Sequence, residues 1–497
     1  MINQVVFSDE ITLWWDKEWD LPDGVYYKIT LNNDTVVTTK THVSFKDLAP
    51  EATYAVKVSR VEPAAVLLDT TIKTPAAKRR IDVTAAPYLA VGDGVADDTA
   101  AIQRAINDCG AEDCVYLPKG TYLTGALDLH SDMELYVDEG ATLQGSAVPA
   151  AYLPKRKSRF EGIEMECYAS LLNMGDHDPA SGPNCHNVVI RGKGAIIGGG
   201  RALGEGIMEE ERALLATYLA ENADYVKTCE NENTIPGRAR GRLIHISNSE
   251  NVIIAGLFLG FAASWNVHFI YSKNILTYGC RIHSRGVWNG DGWDPDSAED
   301  CTIFDTEFLT HDNSIAIKSG KNPGGNIIGR PTKNVRIFDC HGSNCMAIGS
   351  EMSGGIDGVY IWDCDVTETT QGLGIKVTPK RGGYVRNVRV RNCRLVNVRA
   401  RSVTFNDDGE PSGEISVVED ILFENVTFTG MGINMDGTIR KPTDALFLVG
   451  LDAPEGYFRR FTFDGVQLPC IGEAHKIEIQ NVAELTMKNI SFCDGDE

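Results

Sequence analysis

The sequence lacks several features that would assign it to a common functional class. None of its 497 residues lie in an apolar run of about 20, the length that a membrane-spanning helix requires. It has no CxxC pair of the kind found in zinc and redox motifs, and no GxGxxG pattern for a dinucleotide. The N-terminal MINQVVFSDE has no basic segment followed by an apolar block, so no signal peptide is expected.

Positive charge is also scarce. Lysine and arginine number 47 against 69 acidic residues, which gives a formal net charge of −22. Such a field opposes binding to nucleic acid or to an anionic membrane surface. It also argues mildly against a long polyanionic substrate, unless a local basic pocket overrides it.

Cysteine is present without an evident pairing scheme. The 13 cysteines are an odd number and are scattered along the chain. Several fall inside strand-like runs, where a free thiol behaves as a small core residue: Cys280, Cys301, Cys340, Cys364 and Cys393. Reduced cysteines predict a cytosolic protein. No metal site or cofactor is expected.

Residues 1–75 have the pattern of a small β-sandwich. Short alternating runs such as YYKITL and TYAVKVSRV are separated by turn residues. The stretch FKDLAPEATYAVKVSRV resembles the end of a fibronectin type III domain, with Tyr54 in the place of the tyrosine corner. The basic, alanine-rich segment that follows predicts a linker over 76–84.

The remainder, 85–497, repeats one short phrase. A polar residue is followed by alternating apolar residues and then by Asp, Asn or Cys, as in NVIIAG, NILTYGC, NVRIFDC and NVRVRNC. A repeat of this kind predicts one stacked supersecondary unit. Because the units are strand-rich, we predict an all-β fold: a right-handed, single-stranded parallel β-helix. Leucine-rich repeats are the alternative solenoid, but their LxxLxL phrase is absent. Helices are predicted only at 97–110, with an acidic cap, and at 204–229.

Three aspartates are spaced to meet on one face of such a β-helix. Asp291 precedes Asp312 by 21 residues, close to one coil, and Asp294 precedes it by 18. Close carboxylates raise one another's pKa values, as an acid–base pair requires. The alternative is that each aspartate only serves turn geometry.

Six phrases extend this interpretation, since they occur in a fixed order: GDGVADDTAAIQRAI, YLPKGTYLTGALDLHSDMELYVDEGATLQGS, SWNVHF, NGDGWDPDS, DNSIAIKSG and AIGSEMSGG. Together they resemble glycoside hydrolase family 28, the polygalacturonase family, and most closely its exo-acting branch. The resemblance implies a parallel β-helix and hydrolysis of a glycosidic bond with inversion. Inverting enzymes use one carboxylic acid to protonate the leaving oxygen and one carboxylate to activate water.

Carried over by motif, the resemblance assigns roles to individual residues. The family's Asn-Thr-Asp phrase matches Asn289, Gly290 and Asp291, and its Asp-Asp phrase matches Asp312 and Asn313. It implies that Asp312 is the general acid. An amide cannot accept the proton of water, so Asp291 is expected to act as the base, with Asp294 as a substitute.

Two departures concern substrate binding. The family's Gly-His-Gly histidine is matched to Ser343, and its Arg-Ile-Lys phrase to Gly374, Ile375 and Lys376. In the family the arginine and lysine help to hold a galacturonate. Loss of the arginine's paired hydrogen bonds predicts a sugar other than an ordinary galacturonate. Lys380 and Arg381 are the cations expected to compensate.

Three further residues are candidates for substrate contact, each with a structural alternative. Trp293 could stack on a sugar face, or fill a turn between coils. Glu351 could face the groove, or satisfy a turn. His268 matches a family histidine, although a lone strand histidine is more often structural.

The leading hypothesis is a cytosolic, exo-acting glycoside hydrolase whose substrate is a plant-derived oligosaccharide or small glycoside. The 204–229 insertion is expected to close one end of its cleft. The alternatives are a carbohydrate-binding protein that has lost catalysis and a lyase or epimerase on the same fold. Neither nucleic acid nor a membrane is expected as a partner, and the N-terminal sandwich could mediate homo-oligomer contacts.

Overall fold

The computed structural model describes residues 1–224, 239–403, 409–433, 440–452, 457–470 and 476–493. The chain divides into two compact units, Met1–Arg80 and Ile81–Glu497. The boundary falls inside the stretch predicted as a linker, of which Arg79–Asp82 forms a strand.

The first unit contains two antiparallel sheets. One has three strands in the order Ile2–Val6, Glu10–Trp15 and His42–Lys46; the other has four, in the order Asp34–Thr38, Tyr27–Leu31, Thr53–Arg60 and Ala65–Lys73. Alternating residues of both sheets form its core, including Ile11, Ile29 and Val58. The amide of Ala49 donates to the Tyr54 hydroxyl at 2.9 Å, as in a tyrosine corner. The fibronectin type III resemblance itself stays a prediction.

The second unit is a right-handed parallel β-helix, which confirms the predicted fold class. Its described residues include a parallel sheet of eleven strands: Leu127–Leu129, Leu172–Met174, Ile244–Ser247, Val267–Ile270, Trp293–Asp296, Ile315–Ile317, Met346–Ile348, Leu373–Val377, Val398–Ser402, Leu446–Val449 and Ile477–Gln480. Each strand pairs with the equivalent strand of the next coil. We call it the eleven-stranded sheet.

The other faces of the coils belong to one long sheet. Among the described residues its strands are Arg79–Asp82, Asp93–Asp97, Asp113–Leu117, Gly120–Thr124, Met133–Val137, Ala141–Gly145, Cys185–Gly192, Ala195–Ile197, Ser249–Ala255, Phe258–Gly260, Lys273–Tyr278, Arg281–His283, Glu299–Leu309, Thr332–Gly342, Ile356–Trp362, Asp365–Val366, Tyr384–Arg391, Arg394–Leu395, Val417–Glu424, Thr427–Phe428, Phe458–Asp464, Gln467–Pro469, Val482–Ala483, Thr486–Lys488 and Ser491–Cys493. Two antiparallel hairpins lie outside these sheets, Arg156–Phe160 with Ile163–Cys167 and Met431–Ile433 with Arg440–Pro442.

The repeated phrase forms coils because its first polar residue takes a left-handed backbone conformation. Five copies show this, with φ of 54–58° at Asn251, Asn274, Asp300, Asn334 and Asn387. Asn and Asp tolerate this conformation better than other residues with a Cβ atom. Their side chains also bond along the stack, as Asn274 does to Asn251 at 2.6 Å. The polar residue that opens each copy therefore sets the bend.

The alternating apolar residues fill the interior of the coils, and other buried residues stack outside that core. A column of aromatic rings stacks from Tyr278 through Phe304 and Phe338 to Trp362, with centroids 5.2, 4.8 and 4.3 Å apart. The five cysteines predicted to lie in strands are buried. Eleven of the 13 cysteines are free thiols in the structure.

Helices are few, as predicted. Thr99–Asn107 lies within the predicted 97–110, and the acidic residue Asp98 is at its N-cap. The Asp98 carboxylate accepts hydrogen bonds from the amides of Val91 and Gly92, at 2.7 and 3.0 Å, whereas the Asp97 carboxylate accepts one from the Thr99 amide at 2.9 Å. The second prediction corresponds to Gly200–Leu214 and Ala216–Glu221, and its last residues, 225–229, lie outside the described residues. The other helical segments are Gly324–Ile328 and the 3-10 turn Pro149–Tyr152.

Among the described helices, none combines the length and the apolar character needed to cross a bilayer.

Candidate active site

One column of side chains runs along the outward face of the eleven-stranded sheet beside the acid pair, and its members His268, Asp294, Ala316 and Ala347 are buried. Parallel pairing aligns His268 with Asp294, and the pairs on either side of Asp294 place Ala316 beside it. The register continues through Ala347, Gly374, Arg399 and Phe447. Side chains at one register position of a parallel sheet lie on the same face. We call this set the groove column.

Asp291 and Asp312 meet at the loops that lead into this sheet. The side-chain amide of Asn313 donates to Asp312 Oδ1 at 3.0 Å and to Asp291 Oδ2 at 3.3 Å. The backbone amide of Asn313 also donates to Asp312 Oδ1, at 2.9 Å. A single amide nitrogen therefore holds the two carboxylates together. Asp312 is part-exposed, whereas Asp291 is 2% exposed.

Behind this pair, Lys318 balances a set of buried carboxylates. Its ammonium lies 3.6 Å from Asp291 Oδ2, 3.9 Å from Asp294 Oδ2 and 3.9 Å from Glu351 Oε2. It also lies 4.6 Å from the centre of the Trp265 ring. Burial opposes its charge, yet Asp294, Glu351 and Asp291 raise the pKa of Lys318 above its ordinary value. The ammonium is thus a fixed positive charge under the site.

The carboxylates respond differently to this environment. Burial and the neighbouring Asp312 raise the pKa of Asp291 to about 7, against the lowering effect of Lys318. Burial also raises the pKa of Asp294 well above its ordinary value. Glu351 is buried as well, but Lys318 and Arg381 outweigh burial and lower its pKa. Glu351 is thereby held ionised, whereas Asp291 titrates near neutrality.

Lys376 reaches the site across Gly374. Its ammonium donates to Asn313 Oδ1 at 3.3 Å. A Cβ atom at position 374 would lie 3.5 Å from Lys376 Cε and 3.3 Å from Cys345 Sγ. The lysine stem therefore lies over the backbone of Gly374, in space that a longer side chain there would need.

Asn289 serves the loop rather than the acid pair. Its Oδ1 accepts a hydrogen bond of 2.7 Å from Arg240. The Arg240 guanidinium also lies 5.2 Å from the Trp288 ring centre and 5.4 Å from that of Phe160. Arg240 thus connects the loop that carries Asp291 to the neighbouring hairpin.

That hairpin, Arg156–Phe160 with Ile163–Cys167, covers the groove column on the N-terminal side of Asp294. We call it the covering hairpin. Phe160 stacks on Trp265 with ring centres 4.8 Å apart, and Ser158 lies 3.2 Å from His245 Nε2. Arg159, 1% exposed at its side chain, pairs with Asp296 at 2.7 Å. At the tip, the carbonyl of Gly162 accepts a hydrogen bond from the Lys321 amide at 2.9 Å.

The covering hairpin decides the role of His268. This residue is fully buried, with Nδ1 3.1 Å from His245 and Nε2 3.5 Å from Asp296. Burial, with the charges of Arg242 and Lys318, holds the pKa of His268 well below its ordinary value. We correct the prediction of substrate contact: His268 supports the hairpin instead.

Trp293 does not contact the groove either. The side chain is fully buried in the core, where its indole nitrogen donates to Thr277 Oγ1 at 3.0 Å and its ring packs on Phe269. Alternation along the strand explains this, since Asp294 takes the outward position and Trp293 the inward one. The prediction of sugar stacking by Trp293 is corrected to the alternative, a packing role.

Ser343 lines a cavity together with Glu307 and Phe308. Because Ile315 pairs with Met346, the same register places Asn344 level with Asn313 and Ser343 level with Asp312, one coil further along. Contact between Ser343 and substrate stays a prediction.

Arg381 cannot compensate for the arginine missing at position 374. Its side chain is fully buried and is committed to the fold, donating to the Ser350 carbonyl at 2.9 Å and to Asn322 Oδ1. The expectation that Arg381 compensates for the missing arginine is therefore wrong.

Sequence reasoning missed two cations of the site. Lys318 lies six residues after Asp312, and strand alternation from Ala316 would have placed it on the same outward face. Arg240 lies in the basic phrase RARGRL, but nothing in that phrase indicates its partner Asn289. The covering hairpin also carries no recognisable signal, because its strands do not belong to the repeat.

Comparisons with known proteins agree with this geometry. Residues 137–491 match the family described as Glycosyl hydrolases family 28, and residues 84–151 match Rhamnogalacturonase A/epimerase, pectate lyase-like. The chain is 27% identical over 451 residues to an exo-poly-alpha-D-galacturonosidase of Dickeya chrysanthemi, covering 85% of this chain and 72% of that protein.

Two solved structures are similar in fold. A family 28 exopolygalacturonase of Yersinia enterocolitica has a TM-score of 0.81 at 22% identity, covering 100% of this chain and 96% of that one. An exopolygalacturonase of Thermotoga maritima has a TM-score of 0.67 at 26% identity, covering 83% and 91%. Since the family match spans more than half of its residues, the chain belongs to glycosyl hydrolases family 28 and is a glycosidase.

Proposed function

We propose that this protein is an exo-acting hydrolase that removes the terminal sugar of a pectin-type oligosaccharide with inversion. The observation that carries the proposal is the pair of unlike carboxylates, Asp312 and Asp291, joined by Asn313 beside a groove that is covered at one end. One is part-exposed and the other is buried and titrates near neutrality.

The mechanism follows from the two environments. Asp312, at the exposed side, protonates the glycosidic oxygen as the bond to the leaving group breaks. Asp291 accepts a proton from the attacking water, a task suited to a base whose pKa lies near 7. Asn313 orients both carboxylates but cannot itself accept the proton. Lys318 stabilises Asp291 once it is ionised.

Asp294 is less suited to act as the base. It is fully buried, and neither of its carboxylate oxygens has a hydrogen-bond partner among the described residues. Its pKa is raised well above the ordinary value, which favours the neutral form. Asp294 then contributes chiefly through its interaction with Lys318 and Asp291.

Exo action is supported by the covering hairpin. It occupies the outward face of the coils before Asp294, so a chain lying in the groove can extend only toward the later coils. The terminal sugar would lie between the hairpin and Asp312. This assigns to the hairpin the closing role that the sequence predicted for 204–229.

The substrate class rests on the relatives and on the local charge. The Dickeya protein is by its name an exo-poly-alpha-D-galacturonosidase, and Lys376 is retained beside Asn313. The missing arginine at Gly374 supports a specificity that differs from that of ordinary polygalacturonases. Eleven free thiols support action in the cytosol on small imported substrates.

Product analysis tests this proposal. We expect trigalacturonate, digalacturonate or a related acidic oligosaccharide to lose one terminal sugar at a time. NMR during the first turnovers should show the β anomer released from an α linkage. An α product would make Asp291 a nucleophile, and early release of longer fragments would contradict exo action. Neutral pentosides and hexosides serve as the comparison substrates.

The pH profile should carry the signature of Asp291. Because the base must be ionised and its pKa is raised to about 7, kcat/KM should fall as the pH drops below 7. If the base were an aspartate with an ordinary pKa, the enzyme would keep its activity down to about pH 4. Steady-state kinetics between pH 4 and 9 measure the acid limb. A limb that remained near pH 4 in the wild type would contradict the raised pKa of Asp291.

A further inference from the structure

The groove column contains an arginine one coil beyond Gly374. Arg399 pairs in register with Gly374, and Arg401 pairs with Lys376. The neighbours Val398 and Ala400 point into the core, so both arginines lie on the outward face. Neighbouring parallel strands are about 4.8 Å apart. A guanidinium is therefore present roughly one coil from the position where the family's motif would supply one.

The surroundings of Arg399 hold its guanidinium in place. It lies 4.6 Å from the ring centre of Phe447, the next residue of the groove column, and 3.6 Å from Asp444 Oδ2. Its Nε is buried and has no hydrogen-bond partner among the described residues. A guanidinium held over a ring by packing loses little freedom when it binds a planar anion. Its side chain remains 19% exposed.

Lys376, Arg399 and Arg401 form a local concentration of positive charge. Burial and the charge of Arg399 lower the pKa of Arg401, against the opposing effect of Asp444. Burial raises the pKa of the Cys345 thiol, which lies beside Gly374. The charges of Lys376 and Arg399 oppose this rise, and that of Asp312 adds to it. Asp444 is the carboxylate paired with Arg399 among the described residues.

We propose that Arg399, with Lys376, binds the carboxylate of an acidic sugar on the leaving-group side of the cleaved bond. Arg399 takes over from the neighbouring coil the function lost at Gly374, and Arg401 adds positive charge. The carboxylate is then bound further toward the C-terminal coils than an arginine at 374 would hold it. This inference rests on the proposed function, because it specifies the substrate of the same groove.

The test compares acidic and neutral ligands in Arg399→Met and Arg399→Lys. For digalacturonate, we expect Arg399→Met to raise KM at least 10-fold with little change in kcat. The methyl ester of digalacturonate should respond less than about 2-fold, since it offers no ionised carboxylate to the guanidinium. Arg399→Lys should lie between the wild type and Arg399→Met. Arg394→Met removes an exposed arginine that pairs with Asp365 at 3.3 Å, and serves as the matched control.

Calorimetric binding of digalacturonate to Asp312→Asn, with and without Arg399→Met, gives a second measurement that needs no turnover. Weaker binding in the double variant, with a reduced dependence on salt, supports the carboxylate site even if no hydrolysis is found. Equal loss for the acid and its methyl ester overturns the inference, and so does no loss for either. Thermal melting of each variant identifies a general loss of folding.

Discussion

Asp312→Asn should reduce kcat on an oligogalacturonide by roughly 10²- to 10⁴-fold, the usual contribution of a general acid. The substitution keeps the shape of the side chain and can still accept the two hydrogen bonds from Asn313, at 2.9 and 3.0 Å. KM should therefore stay within about 3-fold, since ground-state contacts are retained. Steady-state kinetics on one substrate at fixed pH measure both parameters.

A substrate whose leaving group needs no proton tests the general-acid role of Asp312 specifically. Asp312→Asn should cleave a glycosyl fluoride nearly as fast as the wild type, because fluoride departs without acid assistance. Asp363→Asn is the matched control: Asp363 is a turn residue with φ of 55°, bonded to Asn392 away from the site. Wild-type protein that binds but never turns over would favour the carbohydrate-binding alternative. Equal losses in the two variants would assign Asp312 to turn geometry.

Asp291→Asn should have two opposite effects, a loss of activity and a gain in stability. Without its base the enzyme should lose roughly 10²- to 10⁴-fold in kcat. At pH 8 the native protein must keep Asp291 ionised although burial raises its pKa from 3.8 to about 7. Such a shift costs up to about 4 kcal/mol of folding free energy. Because Asn313 and Lys318 lose an anionic partner, we expect a net gain on the order of 2 kcal/mol.

The pH dependence of that gain follows from the direction of the shift. Below pH 4 the carboxyl group is protonated in both the folded and the unfolded state, and the substitution removes no charge. Between pH 4 and about 7 the unfolded state ionises while the folded state stays largely protonated, so over this range the wild type loses stability that the variant retains. Melting temperatures at equal scan rates from pH 4 to 8 should diverge. A parallel decrease at every pH would contradict the assigned environment of Asp291.

The fold could be predicted because its rules are local. Each copy of the repeat contains a residue that accepts a left-handed conformation, such as Asn274 with φ of 54°, followed by alternating core residues. These features recur whatever the distant parts of the chain do. The same regularity predicted that Asp291 and Asp312, about one coil apart in sequence, lie close together. In the structure the Asn313 side chain bridges them.

The rest of the site depends on contacts that the sequence does not encode locally. Trp293 and Asp294 are adjacent, and only the register of their strand decides which one faces the groove. The covering hairpin buries His268 and closes the groove from a segment outside the repeat. Arg399 could have been found by counting one coil beyond Gly374, but the insertions between copies hide that count until the strands are paired.

We expect the buried ion pair between Arg159 and Asp296 to fix the order in which products depart. Opening the covering hairpin would withdraw Arg159 and leave the buried Asp296 without its partner, at a cost of several kcal/mol. For the proposed exo action, a hairpin that stays closed during turnover encloses the detached terminal sugar behind the remainder of the chain. We therefore expect the shortened oligosaccharide to leave first and the monosaccharide second. The monosaccharide is then a competitive inhibitor, and the shortened oligosaccharide gives mixed inhibition when both are tested against the same substrate.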